Sequence, residues 1–443
     1  MIKGKHLNEM YAATLARIMA QEGSRSRLGM GALMWISNSE RPLQSRELCH
    51  ALGVEIGSED LNLENVPDIG TILRCSLGLI TESSSTVQLV HSTLKDYLSG
   101  NPSLLQSPHS KIAGVCLTYL NFPCVQELSP TNTEAPSKFP LLEYASCYWG
   151  KHIRREETAS LTPLALSLLV GFEKHISSRL LLLHYHRLMP WWEQGIYRGS
   201  YRRGFTGLHG AASLGIARVV AALLAEKEWD VNALDTNGRT ALSWAALGGP
   251  QAPLEWGARG GHEGVVKLLL EREDIDPNTA DTFSERTPLS WAAENGHEGV
   301  VKLLLGRKDT NPNTTDTIYD RTPLSWAAES GHEGVVRLLL ERGDVNLNIP
   351  DSTEKTAIEL AVYRGHAGVV QILSKPDLSL LVPGDVGEVP EHPSPMPSRL
   401  PQHSSQPIQS TGLLPTRPLW GIEISSLMII ALLIFLHHFT TSL

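Results

Sequence analysis

From Thr287 to Leu305 the chain reads TPLSWAAENGHEGVVKLLL, and its apolar positions predict two short helices around a turn. The Thr287 hydroxyl suits a helix cap, and Pro288 suits the first helical position, where no amide donor is missed. Leu289, Trp291, Ala292 and Ala293 then form the apolar side of a helix that Ala lets another approach closely. Gly296 is placed to end it at a positive φ that a Cβ would resist. Val300, Val301, Leu304 and Leu305 follow as one wide apolar stripe of a second helix. The turn-rich segment GRKDTNPNTTDTIYD closes the unit.

The pattern returns from Thr322 to Leu340, and in altered form from Pro253 to Leu270. Trp256, Trp291 and Trp326 are spaced by 35 residues, and His262, His297, His332 and His366 by 35, 35 and 34. Self-similarity at such a period marks a stacked array. Each full copy carries Gly-His-Glu-Gly, whose His-Glu pair is raw material for acid–base or metal chemistry. A catalytic site occurs once per chain, however, and a residue that recurs in every unit does the same structural job each time. His297 is expected to bond nearby backbone from its turn. One copy is irregular: TALSWAALGGPQ (Thr240–Gln251) is followed at once by APLEWGARGGHE (Ala252–Glu263), a local duplication that leaves the first half-unit without its own second helix.

These units resemble ankyrin repeats. The family's Thr-Pro-Leu-His-x-Ala opening corresponds to Thr287–Ala292 and Thr322–Ala327, with Ser290 and Ser325 in place of His. A first unit at Thr206–Leu224 keeps His209, and a last one runs from Thr356 to Leu373. The resemblance implies an α-solenoid of about five repeats over residues 205–376 that works by protein recognition.

Upstream, Leu7, Met10, Tyr11, Thr14, Leu15, Ile18 and Met19 share one face of an amphipathic helix, with Glu9 and Arg17 where a signal peptide would need an apolar run. Leu28–Glu55 reads as helix, turn, helix, broken at Arg41-Pro42; Asn65–Ile80 reads as a third helix entering a strand. Ser84–Val90 is the partner strand, with TESSS at the hairpin tip, and a further helix starts near His91. Three helices and a hairpin describe a winged helix. From Glu40 to Gly100 there are four cations and nine anions, which argues against DNA, whose binding begins with phosphate neutralisation.

The phrases GSRSRLGMGALMWISNSERPLQSRELCHAL, LVHSTLKDYL and LLEYASCYWGKHIRREE resemble the winged-helix segment, of the GPI inositol-deacylase type, that follows the NACHT nucleotide-binding module in fungal signalling proteins. The resemblance implies that residues 1–26 are the last helix of a preceding module, 27–105 the winged helix and 106–204 a helical connector. It also implies a nucleotide-sensing role for His91, whose alternative is to cap the helix that starts there. No Gly-x-x-x-x-Gly-Lys-Ser/Thr phosphate loop and no Gly-x-Ser-x-Gly elbow occurs, so the motor and a lipase nucleophile are both missing.

The remaining composition adjusts this picture. Residues 377–418 are rich in Pro, Ser and Gln and read as a disordered linker. Residues 419–439 are apolar apart from a few members, and their length suits the roughly twenty residues of a membrane span. The fold class expected is therefore mainly α: winged helix, ankyrin solenoid, Pro-rich linker and one C-terminal transmembrane helix. The location expected is the cytoplasmic face of a membrane through a tail anchor, with a soluble cytoplasmic chain as the alternative. A net charge of −9 speaks against nucleic acid, and five Cys without a Cys-x-x-Cys pair make neither a disulfide framework nor a zinc site. No catalytic, cofactor or metal residues are expected. The partner is a protein, met by a monomer or weak oligomer through finger loops near Asp274, Asp276, Asp309, Asp316 and Asp344, whose acidity favours a basic or polar surface. Two other readings are a fragment of a nucleotide-switch NTPase or hydrolase, and a winged-helix DNA-binding regulator.

Overall fold

The computed structural model describes residues 2–129, 137–188, 204–226, 229–248 and 261–374. Helix α1 (Ile2–Met19) buries Tyr11, Leu15 and Ile18, whereas Met10 and Met19, expected on the same face, are exposed. Next come α2 (Ser24–Asn38), β1 (Leu43–Gln44), α3 (Ser45–Gly53), α4 (Ile69–Cys75), β2 (Ile80–Ser83), β3 (Thr86–Leu89) and α5 (Ser92–Gly100). The three strands pair antiparallel in the order β1-β3-β2, with Leu43 opposite Val87 and Ile80 opposite Leu89. Ser84 and Ser85 turn the hairpin at φ 50° and 61°, the signs a tight two-residue loop requires. The two-residue strand β1 left no period in the sequence; it exists because Leu43 is buried beside Val87.

The connector comprises α6 (Pro108–Leu120), α7 (Pro123–Gln126), α8 (Leu142–Arg155), α9 (Thr162–Leu169) and α10 (Ile176–Leu188). It is continuous in packing with both neighbours. Trp35 meets the Tyr144 ring edge-on, with 5.8 Å between centroids, and the Tyr144 hydroxyl accepts a hydrogen bond from Glu40 N. On the other side Tyr185 donates to Ser213 O at 3.0 Å, and Phe172 packs on Phe205. One buried cluster thus runs from Tyr11 to Ile372, and winged helix, connector and repeats share a core. The basic patch at 197–204, read as a joint before the first repeat, lies outside the described residues except for Gly204.

Five pairs of inner and outer helices follow among the described residues: α11 and α12 (Gly207–Leu214, Ala217–Glu226), α13 and α14 (Ala241–Leu247, Glu263–Leu270), α15 and α16 (Pro288–Glu294, Glu298–Leu305), α17 and α18 (Pro323–Ser330, Glu333–Glu341), α19 and α20 (Ala357–Arg364, Ala367–Leu373). The second pair resolves the duplication. In regular repeats the amide of the turn histidine bonds a carbonyl five residues back, as His297 N to Ala292 O and His332 N to Ala327 O, both 3.0 Å. His262 N makes the equivalent bond to Ala245 O at 3.2 Å, although the duplication lies between them. The first copy therefore supplies the inner helix and pairs directly with α14; residues 249–260 lie outside the described residues. Trp244 takes the place in the stack that corresponds to Trp291.

The expected C-terminal transmembrane helix, and with it the tail anchor, needs correction. Among the described residues no helix is long and apolar enough to cross a membrane. The longest, α1, has 18 residues and carries Lys3, Lys5, Glu9 and Arg17. Residues 377–418 and 419–439, on which the linker and the anchor were read, lie outside the described residues. The fold class that stands is mainly helical with a winged helix and stacked repeats.

Candidate functional site

The local grammar of each repeat fixes its inner helix. Thr240, Thr287 and Thr322 accept hydrogen bonds from the amides of Ser243, Ser290 and Ser325 at 3.1, 3.3 and 3.1 Å, and Thr356 forms a capping box with Glu359. At the far end, Gly296 and Gly331 take φ 71° and 78°. A Cβ on either would also lie 2.6 Å from Nδ1 of the next repeat's histidine. Glycine is needed there for conformation and for space.

The histidines do not converge. Nε2 of His262, His297, His332 and His366 donates to Ser213 O, Leu247 O, Glu294 O and Glu329 O, at 3.0, 3.2, 2.8 and 2.8 Å. Each acceptor is a carbonyl at the end of the preceding repeat's inner helix, where intrahelical donors run out. The partner is a neighbour in the stack, not the adjacent chain that the sequence suggested. Burial holds His262, His297 and His332 below the usual histidine pKa, at about 3 for His262, where Arg154 also donates to Nδ1 at 3.3 Å. The second glycine of each Gly-His-Glu-Gly leaves room for the glutamate of the repeat before, so that a Cβ on Gly299 or Gly334 would strike Glu263 or Glu298. The tetrapeptide is a joint between repeats. Among the described residues no group of three or more His, Cys, Asp or Glu is placed to hold a metal ion.

A second row runs along the inner helices and turns. Arg239 lies over Trp244 and Trp291 at 5.2 and 4.7 Å, Arg286 over Trp291 and Trp326 at 3.9 Å each, and Arg321 over Trp326 at 4.8 Å. Guanidinium and indole planes thus alternate through three repeats, each cation facing the negative π-faces of its neighbours. Each indole N–H is fixed as well: Trp244, Trp291 and Trp326 donate to Asp235, Asp281 and Asp316 at 3.1, 3.2 and 2.9 Å. The other oxygen of Asp316 accepts from Ile318 N and Tyr319 N, which folds the finger turn. The sequence reading missed these arginines. A repeating signal was present, since Arg239, Arg286 and Arg321 each stand directly before the capping Thr.

The expected acidic contacts are placed unequally. Asp316 is buried and structural. Asp274, Asp309 and Asp344 are exposed, but each pairs with an arginine of its own loop, Arg272 at 2.7 Å, Arg307 at 2.6 Å and Arg342 at 3.3 Å. Asp276 accepts from Asn278 N at 2.9 Å. These loops are also stitched together: Asn278 Nδ2 donates to Asp309 O and its Oδ1 accepts from Asn311 N, both at 2.7 Å, and Asn313 repeats the pattern with Asp344 O and Asn346 N. The turns before the inner helices expose apolar groups beside their polar ones: Phe283, Ile318 and Tyr319 are 47%, 42% and 42% accessible. Beside them, above Trp291 and Trp326, opens a cleft of about 530 Å³.

In the winged helix, His91 caps α5: Nδ1 accepts from Thr93 N at 3.2 Å, and the Thr93 hydroxyl also bonds Tyr11. The ring is at the surface. Arg74, the one cation of α4, donates to Thr71 Oγ1 at 2.7 Å within its own helix.

A winged helix joined through a helical connector to stacked helix pairs defines a modular chain whose repeated half is built for contact. Comparison with known families agrees at both ends. Residues 16–109 match the family model for the GPI inositol-deacylase, winged helix domain. Residues 249–316 and 289–380 match the model for ankyrin repeats, in three copies. The chain therefore carries a winged-helix domain of this NACHT-associated type and ankyrin repeats, which are protein-interaction modules. No curated protein matches the chain.

Proposed function

We propose that the chain is a non-enzymatic protein-interaction scaffold, an accessory or truncated form of the NACHT–ankyrin signalling architecture. The observation that carries this reading is the division of labour in the repeats. Their histidines, buried aspartates and asparagine rungs are engaged by neighbouring repeats, while Phe283, Ile318 and Tyr319 stand exposed on the fingers beside the cleft. Exposed apolar groups beside a cleft on stacked repeats are a recognition surface. Cross-linking mass spectrometry on complexes captured with the full chain tests it. Links are expected on the finger turns and inner helices between residues 205 and 374; links confined to residues 1–188 would overturn it.

A further inference from the structure

The reading of the repeats as the recognition surface leaves open what they recognise, and the cleft beside Trp291 and Trp326 answers through its donors and acceptors. Its carboxylates are already engaged. Asp316 takes two turn amides on Oδ1, and the Trp326 indole and Arg321 N on Oδ2. Glu329 serves two guanidinium groups, Arg321 and Arg364, and Glu294 serves Arg286. The cations are not matched in the same way. Arg286 is 5% accessible and its Nε is buried with no hydrogen-bond partner. Arg364 shares its acceptor with Arg321, and its side chain is 53% accessible at the cleft edge. A guanidinium carries five N–H donors and no acceptor, so the cleft presents more donors than acceptors. Its outer rim is apolar, with Phe283 and Ile318 one repeat period apart at equivalent finger positions.

We propose that this cleft binds an extended segment of a partner protein in which an Asp or Glu side chain lies next to an aliphatic or aromatic one. The carboxylate meets Arg286 and Arg364, since Arg321 is already held by both Glu329 and Asp351, and the apolar side chain packs on Phe283 and Ile318. This rests on the scaffold reading and reverses the partner charge that the acidic loops suggested, because those loops are neutralised by Arg272, Arg307 and Arg342. A free anion would not use the apolar rim, and a basic segment would meet a surplus of donors.

The test is selection of a random displayed peptide library on the full chain. Enrichment of peptides that pair Asp or Glu with Leu, Ile, Phe or Tyr is expected. A synthetic copy of an enriched peptide should bind Arg364→Gln and Phe283→Ser at least about tenfold more weakly. Both positions are exposed, so the circular dichroism of each variant should match the parent. Enrichment of Lys- or Arg-rich peptides, no enrichment, or affinity unchanged in both variants would each overturn the proposal. Cross-links that still map to residues 205–374 in that event would leave the scaffold reading standing and remove only the cleft.

Discussion

Gly331 and Gly365 offer a matched test of how the repeats are joined. Both end an inner helix in the left-handed region, at φ 78° and 79°. An added Cβ at 365 meets nothing within 4 Å, whereas at 331 it lies 2.6 Å from Nδ1 of His366. Alanine at either position costs about 1–2 kcal/mol for the backbone conformation. Only at 331 must the imidazole also move. That breaks the 2.8 Å bond from His366 Nε2 to Glu329 O and leaves a helix-end carbonyl without its donor, which costs about 1–3 kcal/mol more. Gly365→Ala should therefore destabilise by about 1–2 kcal/mol and Gly331→Ala by about 2–5 kcal/mol. Urea unfolding followed by far-ultraviolet circular dichroism, with tryptophan fluorescence to report on the repeat that holds Trp326, measures both. In a His366→Ala background the difference between the two glycine variants should vanish, since the obstructing ring is gone. Equal midpoints for the two single variants would refute a histidine joint between repeats.

Buried histidines make the same frame sensitive to acid. His152, His175 and His262 are held at about 3, 4 and 3, each chiefly by burial. The unfolded value is about 6.5, so below it the unfolded chain binds more protons than the native one. Stability is complete above about pH 6.5 and falls as the pH drops toward the native values, by up to about 1.4 kcal/mol per pH unit for each histidine; a melting temperature that holds steady from pH 7 to pH 5 would contradict this. Asn278→Ala removes two 2.7 Å bonds between adjacent loops and should cost about 1–2 kcal/mol, while Asp274→Ala, which loses only an exposed ion pair, should leave the urea midpoint unchanged. Deletion of residues 249–260 should preserve the circular dichroism spectrum and the melting temperature, because Ala245 O and His262 N already close the repeat; loss of cooperative unfolding would show that the second dodecamer holds the stack together.

Much of this architecture could be read locally. Helix caps act over three residues, so Thr287 with Ser290, and Gly296 at its positive φ, stand where the repeated words placed them. The hairpin tip at Ser84-Ser85 and the cap at His91 obey the same short range. The 35-residue period carried the stack itself, because identical units that cannot bury their faces alone must lie on one another. Those parts of the protein are settled by the sequence.

The candidate site was less legible, because its members meet across repeats and loops rather than along the chain. Nothing in the order of residues says that Asp316 turns inward to an indole while Asp309 turns outward to its own arginine. The two differ in where the neighbouring repeat lies. Arg239 and Arg286 acquire their places between two indoles only once the repeats stack. The same holds for the copy of the duplicated dodecamer that enters the stack, and for the core shared by winged helix, connector and repeats. Short-range hydrogen bonding and hydrophobic period are written in sequence separation. The charge and shape of a cleft depend on distances that exist only after the repeats have packed.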